Sequence, residues 1–268
     1  MPSSSVIKLS SPATREFWEI PVLFEDADLL ALNQPGGLLS SPDRAVPERP
    51  NLLKLLHAGI AEGKTWARER GLTYLMNAHR LDFATSGVML FAKSKPVLVA
   101  LANLFGSEEP LKRYVALVQG APAEDQFTVN APLAPHPVRV AEMHIDPKRG
   151  KRAQTAFSVR ERFAGWTLLM CEPLTERTHQ IRAHLRYVRL PLAGDKLYGG
   201  KPLLLSRLKP GFRLKPNHTE HPLLDQVALH LEQLSLPHPV THEQVHIQAP
   251  WPKDLTVAVK YLRRYGAP

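Results

Sequence analysis

Two apolar runs, Leu72–Ala78 and Val88–Ala92, bracket nine residues of different character, His79-Arg-Leu-Asp-Phe-Ala-Thr-Ser-Gly87. Short runs rich in Leu, Val, Met and Phe read as buried strands. The connection between them carries a cation, a carboxylate and two hydroxyls, and a glycine closes it. Any fold for this chain must therefore bury two strands and hold a short polar turn between them. Such a turn is a rigid place to display a reactive group. Asp82 stands between Leu81 and Phe83, so part of its surroundings is apolar. Burial disfavours the charged form of a carboxylate, so an ionised Asp82 needs a cation or several donors nearby. Taken alone, the turn is better read as self-capped, with Asp82 bonding the amides of Thr85 or Ser86.

The remaining segments are short and mixed. Residues 1–19 read as an extended lead-in. Val22–Asn33 reads as a hairpin around an acidic turn, and Gln34-Pro-Gly-Gly-Leu as a loop. The two glycines of that loop lack the Gly-Lys-Ser/Thr of a phosphate loop. Asn51 is placed to cap a helix that begins after Pro50, and residues 61–71 read as a charged surface loop. Pro96–Phe105 reads as a helix with proline in its first turn, and Lys112–Gly120 as a strand. Residues 121–150 read as loops and short strands. Gln154–Phe163 and Trp166–Pro173 pair around Ala164-Gly165. Thr178–Val188 reads as a helix whose Ile181, Leu185 and Val188 face the core, with Arg182 off that stripe. Residues 201–221 read as a mobile basic loop, and Val227–Leu236 and Val245–Ala249 as closing strands. Many short strands with a few helices make an α+β fold.

Charge is concentrated in one part of the chain. Arg139–His221 holds 17 Lys and Arg against 7 Asp and Glu, while the rest is close to neutral. That pattern suits a polyanion. No run of about 18 apolar residues is present, so no membrane span is expected. The start of the chain lacks the features of a secretion signal, and Cys171 is the only cysteine. A reducing, cytoplasmic setting fits, with Cys171 a buried strand residue.

Three long motifs, in order, resemble the RluA-like RNA pseudouridine synthases. They are His79-Arg80-Leu81-Asp82 with Thr85-Ser86-Gly87, Lys112-Arg113-Tyr114-Val-Ala-Leu-Val-Gln-Gly, and Pro173-Leu-Thr-Glu-Arg-Thr-His-Gln-Ile-Arg-Ala-His-Leu. The loop Gly194-Asp195-Lys-Leu-Tyr198-Gly199 agrees as well. Two departures stand out: Glu176 where the family usually has glycine, and Ser40-Ser41 where its first loop often ends in histidine. The resemblance implies a pseudouridine synthase fold, a curved, mostly antiparallel central sheet with flanking helices and a catalytic cleft. The domain plan it implies is an N-terminal extension over 1–20, a two-lobed catalytic domain over 21–255 and a C-terminal tail over 256–268.

The implied reaction isomerises uridine within RNA: the N1–C1′ bond breaks, the uracil turns, and C5 joins C1′. Neither a cofactor nor a metal is needed. The resemblance gives Asp82 the part of the ionised carboxylate at the sugar, acting as nucleophile or as base at C2′. Arg182 becomes the cation that keeps that carboxylate charged, and its forked guanidinium suits the task better than lysine would. Tyr114 stacks on the base and can join a proton transfer, since C5 must lose a proton. A stacked uridine must be flipped out, at a cost of a few kcal/mol. Arg80 is assigned to the vacated space. Thr85, His179, Lys151 and Arg152 complete the expected RNA-binding set. The expected partner is structured RNA, ribosomal or transfer, bound by a monomer.

Two other classes compete. A non-catalytic RNA-binding protein would use the same basic surface. A metal-dependent hydrolase would use His238, His242 and His246, whose spacing suits a metal only on a helix that Pro237 and Pro239 disfavour. His79, His179 and His184 are expected to make structural hydrogen bonds.

Overall fold

A computed structural model describes residues 6–43, 46–215 and 217–267, so residues 1–5 of the expected lead-in lie outside it. The chain runs through β1 (Val6–Ser11), β2 (Glu16–Glu25), β3 (Leu29–Gln34), α1 (Leu52–Ala61), α2 (Thr65–Glu69), β4 (Met76–Asn77) and β5 (Ser86–Ala92). It continues through α3 (Lys95–Gly106), β6 (Leu111–Gln119), β7 (Gln126–Asn130), β8 (Leu133–Pro135), β9 (Met143–Ile145), β10 (Gln154–Phe163) and β11 (Trp166–Pro173). It ends with α4 (Gln180–Tyr187), β12 (Leu229–Pro237), β13 (Gln244–Gln248) and α5 (Lys253–Tyr265). These elements form two compact units. One takes the chain up to Lys112 together with Leu231–Pro250, and the other takes Arg113–His230 with the chain from Trp251 onward.

In the first unit the strand order is β1-β2-β3-β5-β12, with β4 beside β5 and β13 beside β12. The centre of this sheet is fully apolar: Leu29–Leu32 and Val88–Ala92 are all completely buried. The β2–β3 hairpin turns where expected, because Asp26 Oδ1 accepts the N–H groups of Asp28 and Leu29 at 2.8 and 2.7 Å. Asn51 caps α1 as expected, its Oδ1 accepting from Lys54 N–H at 2.9 Å.

Three expectations in this unit are corrected. The described part of the lead-in is a strand pair, from Val6 opposite Pro21 to Ser11 opposite Glu16. Residues in β1 alternate between exposed and buried, which places Ile7 and Leu9 in the core. Residues 61–71 are not all loop, since α2 forms to bury Trp66 and Ala67. The strand expected over 72–78 shrinks to Met76-Asn77, paired with Ala92 and Phe91. Leu72 and Leu75 are the buried residues there, and a spacing of three does not suit an alternating strand.

In the second unit the order is β6-β11-β10-β7, all antiparallel, and β8 and β9 form a separate two-stranded hairpin. Residues 256–265 of the expected tail belong instead to the helix α5. Its Leu255, Ala258, Val259 and Leu262 recur at helical spacing and join Val115, Leu117, Phe163 and Leu168 in one core. The basic segment 201–221 is anchored rather than free. Leu203 is buried, its carbonyl accepts Leu223 N–H at 2.8 Å, and Glu220 accepts Ser206 N–H at 2.7 Å.

Candidate active site

The polar turn lies in the first unit, between β4 and β5. It is closed by backbone: Thr85 N–H donates to the Asp82 carbonyl at 2.9 Å. A second loop clamps it from outside. Gly37 N–H donates to the Phe83 carbonyl at 2.7 Å. Ser40 Oγ accepts Leu81 N–H at 2.9 Å and donates to the Leu81 carbonyl at 3.2 Å. Both neighbours of Asp82 are therefore fixed through their main chains, and Ser40 is 2% exposed. Within the Ser40-Ser41 pair, the Ser40 hydroxyl thus serves as both donor and acceptor.

The flanks of the turn explain its placement. His79 is buried, and its Nε2 accepts Leu90 N–H at 3.2 Å. Burial, and then the charge of Lys112, hold His79 well below the usual histidine pKa. This ring is a structural acceptor, as expected. Gly87 sits at φ +124°, and a Cβ there would meet the backbone of Leu231 on β12. Only glycine allows that close approach immediately after the turn. Asp82 itself is half-buried, Arg80 is exposed, and Thr85 is buried. Thr85 thus serves the turn from within, while Arg80 reaches solvent.

Arg182 belongs to the second unit, on α4. The helix begins two residues later than expected. His179 takes a left-handed conformation at φ 53°, which breaks the run from Thr178. A polar network then pins the helix to β10. Gln180 Nε2 donates to the Gln154 carbonyl and to Thr155 Oγ1, each at 3.0 Å. His184 Nε2 lies 2.9 Å from the Ala131 carbonyl, an acceptor, so that nitrogen carries the proton and Nδ1 accepts from Thr155 at 2.9 Å.

Pinned in this way, Arg182 is buried, although the apolar stripe alone placed it to one side. Its guanidinium grips Asp195 with both arms, Nε to Oδ2 at 2.7 Å and Nη2 to Oδ1 at 2.9 Å. The side chains are 8% and 1% exposed. The same guanidinium lies 5.0 Å from the centre of the Tyr198 ring. Tyr198 Oη accepts Met143 N–H at 2.8 Å and lies within hydrogen-bond distance of His179 Nδ1, at 3.0 Å. Asp195 was the residue that sequence reasoning missed. Its signal was present in Gly194-Asp195-Lys-Leu-Tyr198-Gly199, but nothing in that spacing said which cation it would hold.

Tyr114 is a buried residue of β6, opposite Cys171 on β11. Cys171 is fully buried, and burial pushes its thiol pKa far up, so it is no nucleophile at neutral pH. Lys151 and Arg152 are exposed beside the β8–β9 hairpin. Glu176 is exposed and is absent from the left-handed residues, so the side chain is accommodated where glycine was usual.

The histidine triplet does not form a metal cluster among the described residues. A different trio, Asp26, Asp28 and His238, brings its ligand atoms within 4.8 Å of one another. Yet His238 Nδ1 accepts the N–H groups of Val240 and Thr241, so Nε2 carries the proton that it donates to Asp26 at 3.1 Å. That tautomer offers no lone pair to a cation between the carboxylates.

The family model described as RNA pseudouridylate synthase matches residues 28–187. The chain is 34% identical over 258 residues to ribosomal large subunit pseudouridine synthase D of Xylella fastidiosa, covering 92% of this chain and 71% of that one. It is 33% identical over 243 residues to ribosomal large subunit pseudouridine synthase C of Salmonella typhi, covering 90% and 70%. The solved structure of human RNA pseudouridylate synthase domain containing 4 shares the fold, with a TM-score of 0.66 at 22% identity, covering 90% of this chain and 92% of that one.

Proposed function

The chain belongs to the RNA pseudouridylate synthase family, and from that membership we propose that Asp82 is the carboxylate through which it converts uridine to pseudouridine in RNA. The enzyme is an isomerase, and its product differs from its substrate only in the bond joining base to sugar. The observation that carries the assignment is the clamping of Asp82. Backbone bonds on both neighbouring residues fix the main chain that carries this carboxylate, so less of the site has to reorganise when a substrate arrives. It meets C1′ as nucleophile or C2′ as base.

Arg182 supplies the cation of the reaction. Its planar fork is preorganised by Asp195, and lysine could not keep that geometry. Tyr114 provides the aromatic face for the base and a hydroxyl for proton movement. Arg80, exposed beside the turn, replaces the extruded uridine in the RNA stack. Lys151 and Arg152, with Lys148 and Arg149 nearby, contact phosphates. His179, 3.0 Å from Tyr198 Oη through its Nδ1, and Thr85 complete the RNA-binding set. The substrate class is structured RNA, with large-subunit ribosomal RNA foremost because the relatives bear that name. The protein acts in the cytoplasm as a monomer. No helix among the described residues is long and apolar enough to cross a membrane.

The test uses unmodified transcripts of large-subunit ribosomal RNA and of transfer RNA, incubated with the protein and mapped for pseudouridine. Wild type is expected to modify one or a few uridines, and Asp82→Asn none. Modification by Asp82→Asn at the wild-type rate would overturn the assignment.

A further inference from the structure

Beside the catalytic turn, within the first unit, lies an open cavity of about 540 Å³. Its walls come from three places: Thr14, Glu16 and Trp18 around the start of β2, Gly37 and Leu38, and Val46–Pro50 with Phe83. Phe83 occupies the corner of the turn and directly follows Asp82. It is 37% exposed, which is unusual for a phenylalanine flanked by a buried leucine and a clamped aspartate. The guanidinium of Arg49 sits 4.5 Å from the centre of its ring. Trp18 lines the same space and is only half-buried.

The charges of the cavity decide what can enter it. Glu16 and Glu48 stand against one arginine, Arg49, so the walls repel a phosphate. The aromatic faces of Trp18 and Phe83 favour a flat occupant. A planar aromatic group with N–H donors at its edge satisfies both features. It stacks on Trp18 or continues the Arg49–Phe83 stack, and it donates to a glutamate. Among nucleobases, guanine, adenine and cytosine carry an exocyclic amino group that can serve as that donor. The volume holds one base with room to spare.

We propose that this cavity is a subsite for one unpaired nucleobase that flanks the target uridine and bears an exocyclic amino group. The inference rests on Asp82 as the reacting carboxylate, since Phe83, which lines the cavity, adjoins it in the chain. Because Gly37 N–H fixes the Phe83 carbonyl at 2.7 Å, the ring is set by the same loop that walls the cavity. The enzyme then reads sequence next to its target without contacting the target itself through these residues.

A cycle of protein and RNA changes tests this. In a transcript that wild type modifies, each nucleotide within three positions of the target is made abasic in turn. At one position the abasic change is expected to lower kcat/KM for wild type about tenfold, the scale of one base–aromatic stack, mainly through KM. A Trp18→Ala/Phe83→Ala protein is expected to lose the same factor on intact RNA and to lose nothing more at that position. Replacing that base by uracil is expected to weaken wild type, and Glu16→Gln/Glu48→Gln is expected to erase the difference. Equal abasic losses for wild type and the double variant at every position would overturn the subsite. Circular dichroism of the variants distinguishes misfolding, and Phe83→Leu, which keeps bulk without a stacking face, is expected to repeat the loss. The same cycle is run as RNA binding on Asp82→Asn protein. If Asp82→Asn retains full turnover, the catalytic assignment fails, whereas the subsite fails only when the binding cycle shows no coupling.

Discussion

Removing the Asp195 carboxylate tests the buried, two-bonded ion pair that holds Arg182. Arg182 and Asp195 are 8% and 1% exposed and joined by two bonds of 2.7 and 2.9 Å. In Asp195→Ala the buried guanidinium loses the carboxylate that takes both of its arms. Breaking such a pair on one side costs about 3–5 kcal/mol. That is a large share of the ~5–15 kcal/mol that holds a domain together. At ~2–4 °C per kcal/mol for a chain of this size, the melting temperature should fall by about 6–20 °C. The exposed pair Lys8–Glu19, with side chains 67% and 57% exposed, is an internal control. Glu19→Gln should cost no more than ~1 kcal/mol. The assay is urea unfolding followed by circular dichroism, with scanning calorimetry for the temperature. A second variant separates lost packing from the lost ion pair. Arg182→Met/Asp195→Leu fills the same space without ions and should recover much of the stability while remaining inactive. If Asp195→Ala were as mild as Glu19→Gln, the pair would be wetter and looser than its geometry states, and its role in aiming Arg182 would fall with it.

Four further outcomes are expected. His79 is held neutral by burial, so the unfolded chain takes up a proton near pH 6.5 that the folded chain refuses. Its contribution to stability is complete above that pH and declines as the pH falls below it, and His79→Gln should flatten this slope in denaturation curves taken from pH 8 to 5. Ser40→Ala strands the Leu81 N–H and carbonyl, which should cost about 1–3 kcal/mol and lower kcat more than it raises KM; unchanged turnover would show that the clamp does not aim Asp82. Gly87→Ala forces a methyl against Leu231 and should destabilise by about 1–3 kcal/mol, read from the same urea curves. RNA affinity should fall steeply with salt, and Lys151→Ala/Arg152→Ala should reduce the slope of log K against log salt by about 1–2, measured by filter binding.

The sequence by itself determined the α+β class, the turn that carries Asp82, the strand of Tyr114 and the helix of Arg182. Each is set by local rules: apolar runs that must be buried, an asparagine that caps a helix, a glycine that closes a turn. The motif order was enough to point to the chemistry. Local rules fell short where a residue's partner is remote. The last residues read as a tail because their apolar positions gain meaning only against Val115, Phe163 and Leu168, which come from distant strands. The lead-in became β1 for the same reason, since Ile7 and Leu9 needed a neighbouring strand to bury them. Ser40 lies 41 residues from the Leu81 that it grips, and Asp195 lies 13 residues from Arg182 across a loop. Hydrogen bonds need atoms within about 3 Å at a fixed angle, and spacing along a chain does not encode that. Only the tertiary structure decided which carboxylate holds Arg182 and which hydroxyl holds the turn of Asp82.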